Sequence, residues 1–164
     1  MNDKTTYSLI VNSTDKLSGT NYDAIYQINW NDFLPERYDK FKVTFTAQTA
    51  GGFYVDGSGT HDLYSSAKLF VDFNSRQFCW DTSHKCQSTC MGFIQRDSLT
   101  TSKCLFALHG SNSSRCISKP NTNLLNVQFI NQSNGKFLVD TDDEGFEQDD
   151  MTDYTIIFEF KPIY

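Results

Sequence analysis

The chain has 164 residues, enough for one domain of ordinary size and too few for two domains with separate cores. Hydrophobic residues make up 38% of it and Phe, Tyr and Trp alone 15%, so the core has to be built largely from rings. Fourteen basic residues against twenty acidic ones give a net charge of −6, which argues against a nucleic-acid wrapper and a polybasic membrane binder.

The first apolar run, Leu9 to Val11, is too short for the hydrophobic stretch of a secretory leader, so none is expected. No window approaches the roughly 18 consecutive apolar residues of a membrane span, and membrane insertion is not expected either. Short apolar or alternating runs then follow one another, separated by polar stretches rich in Gly, Asn and Ser. The expected strands are Tyr7 to Val11, Ala24 to Trp30, Phe41 to Ala47, Lys68 to Phe73, Met91 to Gln95, Cys104 to Leu108, Leu124 to Ile130, Lys136 to Val139 and Tyr154 to Lys161. In FKVTFTA the residues Phe41, Val43, Phe45 and Ala47 share one face, and near the C-terminus Ile156, Phe158 and Phe160 do the same. WNDFLPERYDKF is the nearest approach to a helical pattern, and Pro35 limits it to a short turn of helix between two strands. These features predict an all-β single domain over residues 1–164, a β-sandwich of two antiparallel four-stranded sheets with elaborated loops. The strand count suits a single jelly roll, whose first and last strands lie side by side.

Catalytic and metal signatures are weak. There is no nucleophile elbow, P-loop or dinucleotide fingerprint, and the GSGTHD stretch around His61 and Asp62 cannot form a relay from adjacent residues. No enzyme and no cofactor is expected. Cys79, His84, Cys86 and Cys90 fall within twelve residues, but the close C-x-x-C pair of the strong zinc signatures is missing. Burial of these cysteines as small apolar side chains is the simpler reading. The odd total of five, completed by Cys104 and Cys116, points to reduced thiols, with one or two disulfides as the alternative. The sequons at Asn12, Asn112 and Asn131 then read as a polar surface.

The acidic run is the most conspicuous feature: Asp140, Asp142, Asp143, Glu144, Glu147, Asp149, Asp150 and Asp153, with no Lys or Arg between them. Without it the chain carries fourteen basic and twelve acidic residues, so the net charge belongs to this one stretch. Its start matches a calcium loop through Gly145, but position twelve is Met151 where a bidentate Glu is required, which excludes an EF-hand. What remains is a solvated loop, a looser calcium site, or an acidic interaction loop that docks on a basic surface.

The stretch between the first two strands contains Asn12, Ser13, Asp15, Lys16, Ser18, Gly19 and Thr20, residue types whose side chains bond nearby backbone, with a glycine for positive φ. An ordered elbow is expected there. In its pattern N-S-x-D-[RK]-x-S-G-T, the segment Tyr7 to Trp30 resembles the opening of single jelly-roll penton and minor capsid proteins of large double-stranded DNA viruses and virophage-like elements. SKPNTNLLNVQFIN, the glycine hairpin after it and the closing strand DYTIIFEFKPI are similar to the same group, whereas the cysteine-rich middle is not. The resemblance implies a virion structural protein that forms homopentamers at the capsid vertices, in contact with the major capsid protein and other minor capsid proteins. A minor capsid protein away from the vertex is the near alternative. A carbohydrate- or receptor-binding β-sandwich using Tyr54, Asp56, Tyr64 and Trp80 is the alternative of another class.

Overall fold

The structure is a computed structural model that describes residues 5–49, 53–54, 66–75, 80–81, 86–87, 89–100, 103–108, 114–131, 135–139 and 149–164. Strands are β1 (Tyr7–Asn12), β2 (Ser18–Gly19), β3 (Asp23–Gln27), β4 (Lys40–Thr49), β5 (Phe53–Tyr54), β6 (Ser66–Asp72), β7 (Trp80–Asp81), β8 (Cys86–Gln87), β9 (Cys90–Thr100), β10 (Lys103–Leu108), β11 (Ser114–Ser118), β12 (Leu124–Asn131) and β13 (Tyr154–Pro162). Helix is limited to two single 3₁₀ turns among the described residues, Ser13–Asp15 and Trp30–Asp32. No helix among them is long and apolar enough to cross a membrane.

The chain forms a β-sandwich of two antiparallel sheets. The first sheet has the order β1-β13-β4-β11, with Leu9 opposite Phe158, Phe158 opposite Phe45, and Val43 opposite Arg115. The second has the order β9-β6-β12-β3-β2, with Leu69 opposite Phe129 and Val127 opposite Ala24. The first and last strands therefore pair along their whole length. β10 pairs with β9 and with the short β5, and touches β4 at one pair, Ala107 opposite Gln48; β7 and β8 form a separate ribbon.

The second sheet has five strands, not four, because the elbow contributes one. Gly19 takes a φ of +91°, and this lets Ser18 and Gly19 fold back beside Ile25 and Ala24. Other strands also differ from the sequence reading: β3 stops at Gln27 and leaves Trp30 in a 3₁₀ turn, β9 runs on to Thr100, and the short β5, β7 and β8 were not expected. The Lys136 to Val139 strand reduces to one isolated bridge, Phe137 to Ile130. β11 was not expected, because SRCIS offers a single inward apolar residue, Ile117, and an edge strand has only one neighbour to satisfy.

Alternation sets the core. Phe41, Val43, Phe45 and Ala47 of β4 and Ile156, Phe158 and Phe160 of β13 are all buried, while Lys42, Thr46, Ile157, Glu159 and Lys161 face outwards. Across the gap stand Leu125, Val127 and Phe129 of β12 and Ala67, Leu69 and Val71 of β6, with Phe73 just beyond it. One end is closed by the crossing from β3 to β4, where Trp30 enters between Phe33, Phe73 and Phe160 with ring centroids 5.8, 5.9 and 6.0 Å away. Its indole N–H donates to the Thr122 carbonyl at 2.7 Å, so the ring is buried without an orphaned donor. Phe160 also meets Phe41 and Phe73 edge-on.

Phe160 touches four aromatic neighbours in this cluster, so its truncation leaves a cavity that rigid rings cannot refill. Phe160→Ala is expected to lower stability by about 3–5 kcal/mol, read as the shift in urea-unfolding midpoint at unchanged slope. A loss below about 1 kcal/mol would contradict this packing.

Candidate functional site

The elbow and the end of the acidic run meet where the chain passes from one sheet to the other. β1 ends at Asn12, the 3₁₀ turn of Ser13–Asp15 lifts the chain off the first sheet, and β2 and β3 carry it along the second. β13 returns beside β1, preceded by Asp149 to Asp153. Residues about 140 positions apart are thereby brought into one polar seam.

Ser13 is buried, and its hydroxyl donates to Asp153 Oδ1 at 2.7 Å while accepting the Tyr154 backbone N–H at 3.1 Å. Asn21, also buried, is the hub. Its backbone N–H donates to Asp150 Oδ1 at 2.7 Å, and its side-chain amide donates to the Met151 carbonyl at 2.9 Å and to Asp153 Oδ1 at 3.1 Å. Its Oδ1 accepts from Lys16 Nζ at 2.9 Å, and the same ammonium reaches the Ser13 carbonyl at 3.3 Å. Asp150 Oδ1 accepts a second N–H, from Met151. At the outer end Asn12 donates to Asp15 and accepts from Thr155 Oγ1. Thr20 closes the turn locally: its N–H donates to the Asp23 carbonyl and its hydroxyl accepts from the Asp23 N–H. A Cβ on Gly19 would collide with that carbonyl oxygen, so neither the space nor the φ admits another residue.

Below the seam, the hydroxyls of Tyr26 on β3 and Tyr154 on β13 lie 2.8 Å apart and join the two sheets inside the core. Burial pushes the Tyr26 phenol up to about 12; the bond from Tyr154 opposes this, and Asp15 and Asp153 add to it. Tyr154 is raised further, by burial first and then by Tyr26.

All seven elbow residues named from the sequence lie in or beside this seam, although Ser18 contributes through backbone pairing and is exposed. Of the acidic residues, Asp150 and Asp153 are in it and Asp149 is exposed. Asp140, Asp142, Asp143, Glu144 and Glu147 lie outside the described residues, as do Cys79, His84, His61, Asp62, Asp56 and Tyr64. Cys90 is buried with its thiol 3.8 Å from the Gly92 carbonyl, and Cys116 is exposed on β11. Asn21 escaped the sequence reading. Its position two residues after a turn glycine was the available signal, but a turn asparagine ordinarily bonds its own backbone and this one bonds a segment 130 residues away.

Chemically the seam is bonded to itself. Each carboxylate oxygen named above is taken by an N–H or O–H donor of the protein, and no group of three or more metal-ligating side chains occurs among the described residues. The geometry is that of a fastening between strands, in which the buried Ser13 hydroxyl is held between Asp153 and the Tyr154 N–H. No family model, no curated protein and no solved structure matches the chain.

Two outcomes follow from the seam. Asn21→Ala strips one donor from the Asp153 carboxylate and one from the Met151 carbonyl, and an acceptor from Lys16, while keeping the backbone bond to Asp150, and should cost about 2–3 kcal/mol in urea unfolding. A cost below about 0.5 kcal/mol, the level of an ordinary surface substitution, would contradict its role as hub. The tyrosine pair sets an alkaline limit. Below pH 10 both phenols are neutral in the folded and the unfolded chain, and the stabilisation is fully present. As pH rises from 10 to about 12 the unfolded chain ionises Tyr26 while the folded chain resists, so that stabilisation is lost across the interval. A Tyr26→Phe/Tyr154→Phe variant should show a shallower fall of unfolding midpoint over the same range, and an identical fall would exclude the pair as its source.

Proposed function

We propose that the chain is a structural subunit of the capsid of an icosahedral double-stranded DNA virus, folded as a single jelly roll and assembled as the homopentameric penton at the vertices. The observation that carries the reading is strand order. With β2, β5, β7, β8 and β10 set aside as elaborations, the eight remaining strands counted along the chain give one sheet in the order 1-8-3-6 and the other in the order 2-7-4-5. That order is what two interlocked Greek keys produce, and the architecture is shared by viral capsid and lectin domains.

Fold alone does not choose between those two. The choice of a capsid subunit rests on the resemblance of Tyr7 to Trp30 and of the closing strands to that group. It is supported by how the motif is spent. Asn12, Ser13, Lys16, Gly19 and Thr20 are engaged in internal bonds and a turn, which suits a scaffold. The role is then structural and non-enzymatic, with further copies of the chain and the major capsid protein as partners.

Native mass spectrometry of the purified full chain, with glycan-array binding in parallel, tests this. A homopentamer without glycan binding is expected. A strictly monomeric protein that binds oligosaccharides would overturn the reading in favour of a lectin-like module.

A further inference from the structure

Outer faces of a two-sheet sandwich are ordinarily polar. Here, among the described residues, six of the eight exposed large hydrophobic side chains lie on them, three on each: Ile10, Ile157 and Ile163 on the first sheet, Phe93, Leu124 and Phe137 on the second. On the first sheet Ile10 and Ile157 stand directly opposite each other, 61% and 37% exposed. Lys42 and Lys161 are paired four residues further along, and Lys40 lies beyond them, with Glu159 the one carboxylate on the strands of this sheet. On the second sheet one row runs across the strands from Phe137 to Ile130, Lys68 and Phe93, roughly 14 Å at the usual strand spacing. Tyr22 stacks on Phe137 with ring centroids 4.9 Å apart, and Phe70 lies in the next row. Among the described side chains Asp23 and Asp72 outnumber Lys68 on this face; Asp23 is held by the amides of Asn126 and Gln128 at 3.0 and 3.1 Å.

In their described side chains the two faces differ in kind: aliphatic with excess lysine on one side of the sandwich, aromatic with excess carboxylate on the other. Like against like would bring lysine to lysine, or carboxylate to carboxylate. Unlike faces match in charge and let lysine stems and heads lie on rings. We infer that the outer face of the first sheet of one copy docks on the outer face of the second sheet of the next, a head-to-tail contact between copies of this chain. Such a contact leaves one face open at each end, so it propagates until it closes into a ring. This rests on the capsid-subunit reading for the identity of the partner, and it places the contact on named residues.

Sedimentation velocity on the full chain tests it with Ile157→Asp, which disables the first face, and Phe93→Asp, which disables the second. Both positions are exposed, and far-ultraviolet circular dichroism checks that each variant keeps its strands. The wild type should form a closed oligomer, each variant alone should be monomeric, and an equimolar mixture should give a heterodimer and nothing larger, because one intact face remains on each partner. Lys42→Glu/Lys161→Glu should independently weaken assembly by roughly tenfold or more at low salt. Survival of the wild-type oligomer in both Asp variants would overturn the assigned faces and leave a capsid ring standing. An oligomer sensitive to both variants but with a copy number other than five would support the faces and overturn the vertex reading. A wild type that stays monomeric would overturn the contact.

Discussion

The fold depends on one crossing. A chain that begins in one sheet, enters the other with its next long strand and ends beside its own beginning must hold three segments together where they diverge. Ser13 leaves the first sheet there, Asn21 enters the second, and Asp153 sits between them at the start of the closing strand, with its Oδ1 oxygen accepting from both. The cost of burying Ser13 and Asn21 is met because every donor and acceptor named in the seam has a partner. Tyr26 and Tyr154 repeat the link one layer deeper, in apolar surroundings where a hydrogen bond is electrostatically stronger. At the opposite side of the crossing, Trp30 and its ring neighbours wedge the sheets apart at the spacing that aromatic side chains fill.

This arrangement changes the meaning of the acidic run. Its net charge dominates the composition, yet Asp150 and Asp153, at its C-terminal end, are fastened to the elbow, so the run is anchored at the point where it joins β13. Asp149, just before them, is exposed. The charge that disfavours nucleic-acid binding on average is thus partly structural.

What could be read from the sequence was whatever is local. Period-two alternation located β4 and β13 to within two residues at either end, because one face of each is fully buried and leaves no other register. The elbow was legible from Asn, Ser, Asp and Gly, residues that favour turns by their own chemistry. β11 was not legible, since its single buried Ile117 gives no period. Lys136 to Val139 looked like a strand from composition, but only Phe137 there forms a bridge with β12. The partners of Ser13 and Asn21 were beyond reach for a related reason: turn residues advertise that they will bond backbone, not which backbone, and here the backbone belongs to the far end of the chain.

The most direct measurement of this account is native-state hydrogen exchange at the backbone amides of Asn21 and Tyr154, which donate to Asp150 and to Ser13 respectively. If the seam holds the two sheets in register, both amides open only when the whole domain unfolds, and their exchange free energies equal the global stability and fall with denaturant at the global slope. Exchange of either amide through a local opening several kcal/mol below that level, insensitive to denaturant, would contradict it.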